Sequence, residues 1–143
     1  MATIRDVVAE KGPQVNQIAP TDTVFDAISA MVEANCGSLI VIDDGEITGI
    51  ITERDYLRRV AVKGRTSKDT LVSEIMTSPV IYVEPSCDIE EALALMTDRH
   101  IRHLPVVEGD TLHGLISIGD LVWYQTKAQS FQIRYLEDYI SGR

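Results

Sequence analysis

The 143-residue chain carries 13 Lys and Arg against 22 Asp and Glu, a formal net charge of −9, and 45% of its residues are hydrophobic. That length fits one compact domain, that acidity disfavours non-specific binding to nucleic acid, and no apolar run approaches the roughly 20 residues of a membrane span. Two cysteines, Cys36 and Cys87, argue against a disulfide scaffold and fit a reducing cytoplasm, and the start Met1-Ala2-Thr3-Ile4-Arg5-Asp6 lacks the apolar stretch of a signal peptide.

Taken in chain order, residues 3–9 read as a short opening helix broken by Gly12-Pro13. Val15 to Ile18 read as a brief strand. Thr23-Val24-Phe25-Asp26 has capping-box spacing, with Asp in place of Glu, and Val24, Ala27, Ile28, Met31 and Val32 follow on one helical face. Asn35-Cys36-Gly37 ends that helix. Ser38 to Ile42 is apolar on both faces and predicts a buried strand; Asp43-Asp44-Gly45-Glu46 predicts a turn into a returning strand, Ile47 to Ile51. A helix is expected from Thr52, and the polar stretch Gly64 to Lys68 reads as a linker. The order then repeats: a helix over Leu71 to Met76, a strand over Val80 to Val83, a helix over Asp88 to Asp98, strands over Leu104 to Val107 and Leu112 to Ile116, and a last helix from Ser117. No Gly or Pro occurs between Asp120 and Ser141, so that helix is expected to run to about Ile140. Its apolar and aromatic residues, among them Trp123, Phe131, Tyr135 and Tyr139, suit an oligomer contact or packing against its own domain.

The repetition is visible residue by residue at an offset of 65. Gly49-Ile50-Ile51-Thr52-Glu53-Arg54-Asp55 returns as Gly114-Leu115-Ile116-Ser117-Ile118-Gly119-Asp120, and the same offset pairs Pro20 with Pro85, Ala27 with Ala92, Met31 with Met96 and Leu39 with Leu104. Each half holds about 60 residues, marginal for an independent core, so two halves sharing a core are expected. The motif, glycine, two aliphatics, Ser or Thr, two variable residues and Asp, has two readings. In one, the hydroxyl caps a helix and the Asp sits in its first turn, where the helix dipole favours negative charge. In the other, the same turn holds a nucleotide, with ribose hydroxyls on the Asp and phosphate near the free N–H groups. Arg54, Arg58, Arg59, Lys63, Arg65 and Lys68 hold six of the 13 basic residues within 15 positions, which is either a solvated helix face or an electropositive lip for an anion.

The two halves resemble paired cystathionine-β-synthase-type (CBS) domains, together a Bateman module. The resemblance spans residues 3–124 and rests on the two Gly-to-Asp segments, on Ala19-Pro20-Thr21-Asp22-Thr23 and Glu84-Pro85-Ser86-Cys87-Asp88, and on His103-Leu104-Pro105-Val106-Val107. Thr52-Glu53-Arg54-Asp55-Tyr56 and Ser73-Glu74-Ile75-Met76-Thr77 resemble stand-alone two-repeat members. The resemblance implies an α+β fold of two β-α-β-β-α repeats related by a pseudo-twofold, sheets facing each other, with an extended C-terminal helix. Residues 1–66 then form the first repeat with its N-terminal helix, 67–124 the second, and 125–143 a helical extension. It also implies an adenosyl ligand between the repeats and pairing of modules into a disc-like homodimer. By position, Asp55 and Asp120 would hold ribose hydroxyls and Thr52 and Ser117 the ribose or phosphate. Gln14, Val15, Cys36, Gly37 and Ser38 would face adenine in site one, and Ser78, Val80, Ile101, Arg102 and His103 in site two. Phosphate at site one would meet Arg102 and His103, whereas the matching Gly37 and Ser38 carry no charge. Site two would recruit Arg54 or the 58–68 cluster, take a less charged ligand, or stay empty.

Each of these residues has a plainer role beside the ligand role: Arg102 as a surface charge, His103 as a satisfied seam histidine, Cys36 as a buried inert thiol rather than a redox-sensitive one. Nothing in the spacing of His100, His103 and His113 resembles a metal site, and nothing marks a nucleophile with its base. The sequence therefore reads as a non-catalytic, cytoplasmic adenine-nucleotide sensor that dimerises and acts on another protein. AMP is favoured over ATP, ADP and NAD, because a second charged group needs more cations than Arg102 and His103 supply. The rivals are a scaffold of this fold with degenerate sites and a nucleic-acid module built on residues 54–68, the latter opposed by the acidity and few aromatics.

Overall fold

A computed structural model describes residues 2–12 and 14–127. The fold is mixed α and β, with two sheets among the described residues. Residues 128–143, which hold most of the expected C-terminal extension and its aromatics Phe131, Tyr135 and Tyr139, lie outside them. Packing divides the chain into two compact units, one comprising Gln14–Tyr82 and the other Met1–Pro13 with Val83–Arg143.

In the unit Gln14–Tyr82, a two-residue strand β1 (Gln17–Ile18) pairs in parallel with β2 (Ser38–Asp43), which pairs antiparallel with β3 (Glu46–Thr52). Helix α2 (Val24–Ala34) makes the crossover from β1 to β2. Its start is fixed by Thr23, whose hydroxyl accepts from the Asp26 N–H at 3.1 Å, and its end by Asn35, which takes the left-handed conformation at φ 53°. Val24, Ala27 and Met31 recur at helical spacing and are buried, packing into one cluster with Leu39, Val41, Ile51, Val60, Val72 and Ile75. The β2–β3 turn has positive φ at both central residues, Asp44 and Gly45, as a two-residue hairpin turn matched to strand twist requires. After β3 the chain enters α3 (Glu53–Tyr56), which widens into a π-helical turn (Leu57–Ala61) that leaves Val60 buried and Leu57 exposed. A 3-10 turn (Ser67–Asp69) occupies the expected linker, and α4 (Val72–Ile75) returns to the same unit through backbone bonds from Val72 to Asp22 and from Ser73 to Pro20.

The other unit repeats the plan with α5 (Ile89–Arg99), β4 (His103–Glu108), β5 (Thr111–Ser117) and a helix α6 over residues 118–127. Ile89, Ala92 and Met96 are the buried face of α5, and His100 ends it at φ 55°. The expected strand over Val80–Val83 is reduced to one parallel bridge between Val83 and Val106. Pro105 supplies the reason. In the first copy the Ile40 N–H of β2 donates to the Asn16 carbonyl at 3.1 Å, and the matching position is Pro105, which has no N–H to donate.

Helix α1 (Ile4–Lys11) packs in this second unit, its start bonded from the Ile4 and Arg5 N–H groups to the Cys87 and Pro85 carbonyls at 2.8 and 2.9 Å. Sequence repeats and packed units are thus different divisions: α1 precedes the first repeat but joins the unit of the second, and α4 opens the second but joins the unit of the first. Among the described residues no helix is long and apolar enough to cross a membrane.

Candidate functional site

Each copy of the repeated motif forms where the second strand of a hairpin runs into a helix. In the unit Gln14–Tyr82, Thr52 ends β3 opposite Ser38 at the start of β2. The Gly37 carbonyl accepts from the Glu53 N–H at 3.1 Å, which holds the start of α3 against the strand pair. Thr52 caps α3: its hydroxyl oxygen accepts from the Asp55 N–H at 3.2 Å. Asp55 answers with Oδ2, accepting from the Thr52 N–H at 3.0 Å and standing 3.2 Å from the Thr52 hydroxyl. Its Oδ1 accepts from the Thr77 hydroxyl at 3.2 Å. The carboxylate is thereby oriented by three donors while its residue is only 9% exposed, and a buried polar group needs such partners.

The second copy repeats the capping geometry. His103 at the start of β4 stands opposite Ser117, the Arg102 carbonyl accepts from the Ile118 N–H at 2.8 Å, and the Ser117 hydroxyl accepts from the Asp120 N–H at 3.1 Å. Asp120 Oδ2 accepts from the Ser117 N–H at 2.8 Å. The donor from outside the motif differs. It is the ammonium of Lys11, at the end of α1, 2.7 Å from the same Oδ2 and also 2.7 Å from the Leu115 carbonyl. Burial pulls the Asp120 carboxyl upward, but the Lys11 hydrogen bond, the Ser117 N–H and the Lys11 charge outweigh it and hold the group below the ordinary carboxylate value.

The residues singled out in the sequence are distributed accordingly. Val15, Cys36, Gly37, Ser38, Thr52, Arg54 and Asp55 belong to one unit; Ile101, Arg102, His103, Ser117 and Asp120 belong to the other. Ser78 and Val80, read with the second set, fall in the unit of the first. Val15 is half-buried just before β1, and Gln14 is exposed. The Cys36 thiol donates to the Ser38 carbonyl with sulfur and oxygen 3.5 Å apart, and its sulfur accepts from the Asn16 amide at 3.7 Å. Cys36 and Gly37 also border a cleft of about 520 Å³ between the end of α2 and the start of α3, with Ile28, Val32, Tyr56 and Leu57 on its walls. Two residues escaped the sequence reading, Thr77 and Lys11. The pattern Ser73-Glu74-Ile75-Met76-Thr77 carries a family resemblance, but no rule of spacing ties it to Asp55.

The comparisons with known proteins bear directly on this paired geometry. The family model described as "CBS domain" matches twice, over residues 3–62 and 72–127, each match closing on one copy of the motif. The chain belongs to the CBS-domain family. It is 41% identical over 98% of its length to the mitochondrial CBS domain-containing protein CBSX3 of Arabidopsis thaliana, of which it covers 72%. It is 32% identical over 91% of its length to the CBS domain-containing protein YhcV of Bacillus subtilis, covering 90% of that protein. Among solved structures, a putative signal-transduction protein with CBS domains from Burkholderia ambifaria is 48% identical with a TM-score of 0.82, over 85% of this chain and 91% of that one. A hexameric CBS-CP12 protein from bloom-forming cyanobacteria is 33% identical with a TM-score of 0.78, over 85% and 71%.

Proposed function

We propose that this CBS-domain chain is a non-catalytic regulatory module that binds an adenine nucleotide, with AMP the favoured ligand. The observation that carries the reading is the Thr52–Asp55 arrangement: an oriented, ionisable carboxylate and a hydroxyl at a strand end, adjoining Cys36, Gly37 and Ser38. A carboxylate fixed in this way accepts from vicinal ribose hydroxyls, and a hydroxyl beside helix N–H groups suits the sugar or its phosphate. AMP is favoured over ADP, ATP and NAD on charge, because a chain of net charge −9 carries a single cation, Arg54, within the motif itself. Ligand binding would act on a protein partner by stabilising one arrangement of the chain over another, by no more than its difference in affinity for the two.

Self-association belongs to the same proposal. Phe25, Val32 and Leu57 are exposed apolar side chains of α2 and the π-helical turn in one unit, and the related cyanobacterial protein is described as hexameric. A cytoplasmic setting is kept from the cysteine usage. One observation favours a second reading, a scaffold whose motif only caps helices: both aspartates already find donors within the chain.

The deciding experiment is calorimetric titration of nucleotide-stripped protein with AMP, ADP, ATP, NAD and adenosine, with Asp55→Ala and Asp120→Ala alongside. Saturable binding lost in one variant supports the sensor. Well-folded protein that binds none of the five supports the scaffold.

A further inference from the structure

The two aspartates share the same cap geometry but differ in the donor that reaches each from outside its motif: Thr77 bonds Asp55 Oδ1, whereas Lys11 bonds Asp120 Oδ2, the oxygen that also accepts the Ser117 N–H. At Asp55 that donor is the neutral Thr77 hydroxyl at 3.2 Å, on a residue exposed to solvent. A hydroxyl turns to water when a ligand displaces it, so a sugar hydroxyl replaces it with little net change. At Asp120 the donor is the Lys11 ammonium at 2.7 Å. Charge-assisted bonds of this kind are about twice as strong as neutral ones. Lys11 is moreover held at two points, by Asp120 and by the Leu115 carbonyl at 2.7 Å, so the ammonium is fixed over the end of β5 rather than swinging freely. A ribose at Asp120 must displace the ammonium to reach Oδ2, or bind through Oδ1 to a carboxylate whose charge Lys11 already neutralises. The sequence repeat gives no counterpart: at the offset of 65, Lys11 matches Met76 and Gly12 matches Thr77. The cation is thus particular to one copy.

We propose that Lys11 is a specificity-determining residue that closes Asp120 to ribose and leaves Asp55 as the nucleoside-accepting carboxylate, so that the chain takes one nucleotide rather than two. This rests on the nucleotide-binding reading above. It sets the stoichiometry of the sensor by an ion pair between the first helix and the last motif. The expected penalty is at least tenfold weaker ribose binding at Asp120 than at Asp55, about 1.4 kcal/mol.

The test is calorimetric titration of the full chain with AMP, in the wild type, Lys11→Met, Lys11→Arg, Asp55→Ala and the double variant Lys11→Met/Asp55→Ala. Lys11→Met installs the residue found at the matching position of the other copy, and Lys11→Gln replaces it should that variant not fold. The expected result is one AMP per chain in the wild type, lost in Asp55→Ala, two per chain in Lys11→Met, one in the double variant, and one in Lys11→Arg, which keeps the cation. Two AMP per wild-type chain, an unchanged single site in Lys11→Met, or loss of AMP in Lys11→Met overturns the inference while nucleotide binding stands; the last would make Lys11 a ligand contact instead. Absence of AMP binding in every folded form, the wild type included, removes the nucleotide reading and this inference with it.

Discussion

Gly49 and Gly114 hold the same place in the repeated motif, yet replacing each with alanine should have very different consequences. Neither needs an unusual backbone; what matters is how closely another segment approaches. A Cβ on Gly49 would stand 2.8 Å from Met76 Sδ and 2.9 Å from the Thr77 carbonyl oxygen. The methionine can turn aside, but the carbonyl cannot, because Thr77 and Ile50 exchange backbone bonds of 2.8 and 3.1 Å. Overpacking of this kind costs about 1–3 kcal/mol, and weakening the two backbone bonds adds about 1 kcal/mol. The gain from removing a strand glycine returns about 0.5–1 kcal/mol. Gly49→Ala should therefore destabilise by about 1–3.5 kcal/mol, centred near 2. A Cβ on Gly114 meets only the Val8 methyls, at 3.2 Å, on a side chain that can shift by tenths of an ångström. There the strain and the glycine gain nearly cancel, leaving less than about 1 kcal/mol. Thermal unfolding of the two variants should differ by about 4–8 °C for a chain of this size. Equal stabilities would refute the reasoning. So would full rescue of Gly49→Ala by Met76→Ala, which would assign the strain to the flexible sulfur instead of the Thr77 backbone.

Asp55→Ala should cost only about 1–2 kcal/mol of stability, a helix cap and one side-chain bond, while lowering AMP affinity at least tenfold, about 1.4 kcal/mol; unfolding of the variant, or binding left intact, would point to capping alone. Asp120 is held below its ordinary pKa, so its contribution to stability is full above the unfolded carboxylate value and is lost as pH falls through the folded one. Melting curves should thus show the advantage of wild type over Asp120→Asn constant above about pH 5 and shrinking below about pH 4; an advantage unchanged at acid pH would contradict the Lys11–Asp120 pair. Val32→Asp, on the exposed apolar face of α2, should reduce the mass measured by light scattering after size exclusion without changing the melting temperature by more than about 2 °C, since a solvent-facing substitution costs little. An unchanged mass would take α2 out of any self-association.

What the sequence made legible follows from how local each signal is. Helices α2 and α5 announce themselves by apolar residues at helical spacing, and α2 also by the residues at its ends, Thr23 and Asn35. The β2–β3 hairpin is announced by Asp44-Gly45, because the turn chemistry sits in the two residues themselves. The capping partnership of Thr52 with Asp55 and of Ser117 with Asp120 spans three positions and needs no tertiary knowledge. The short strand before α5 fails for a reason visible only once pairing is known: its carbonyls need a donor from β4, and Pro105 offers none. The assignment of α1 to the unit of β4 and β5 is equally non-local, because its bonds to Pro85 and Cys87 span some eighty positions.

Thr77 and Lys11 show where the repeat itself misleads. The offset of 65 aligns the motifs so well that it invites treating the two aspartates as equivalent. Yet each carboxylate takes a donor from a segment outside its own repeat's hairpin, and those donors do not align: Thr77 matches a glycine and Lys11 a methionine. The two copies share what the backbone geometry demands, here glycine, cap and aspartate. They differ in the residues that merely arrive nearby, and those are the ones that set charge. One copy is left with a neutral, exchangeable donor and the other with an anchored cation, so the same fold element becomes two chemically distinct positions. On the proposed reading it is the unrepeated side chains, not the repeated motif, that set the two copies apart, and substitution at Lys11 should alter ligand stoichiometry while leaving both hairpins in place.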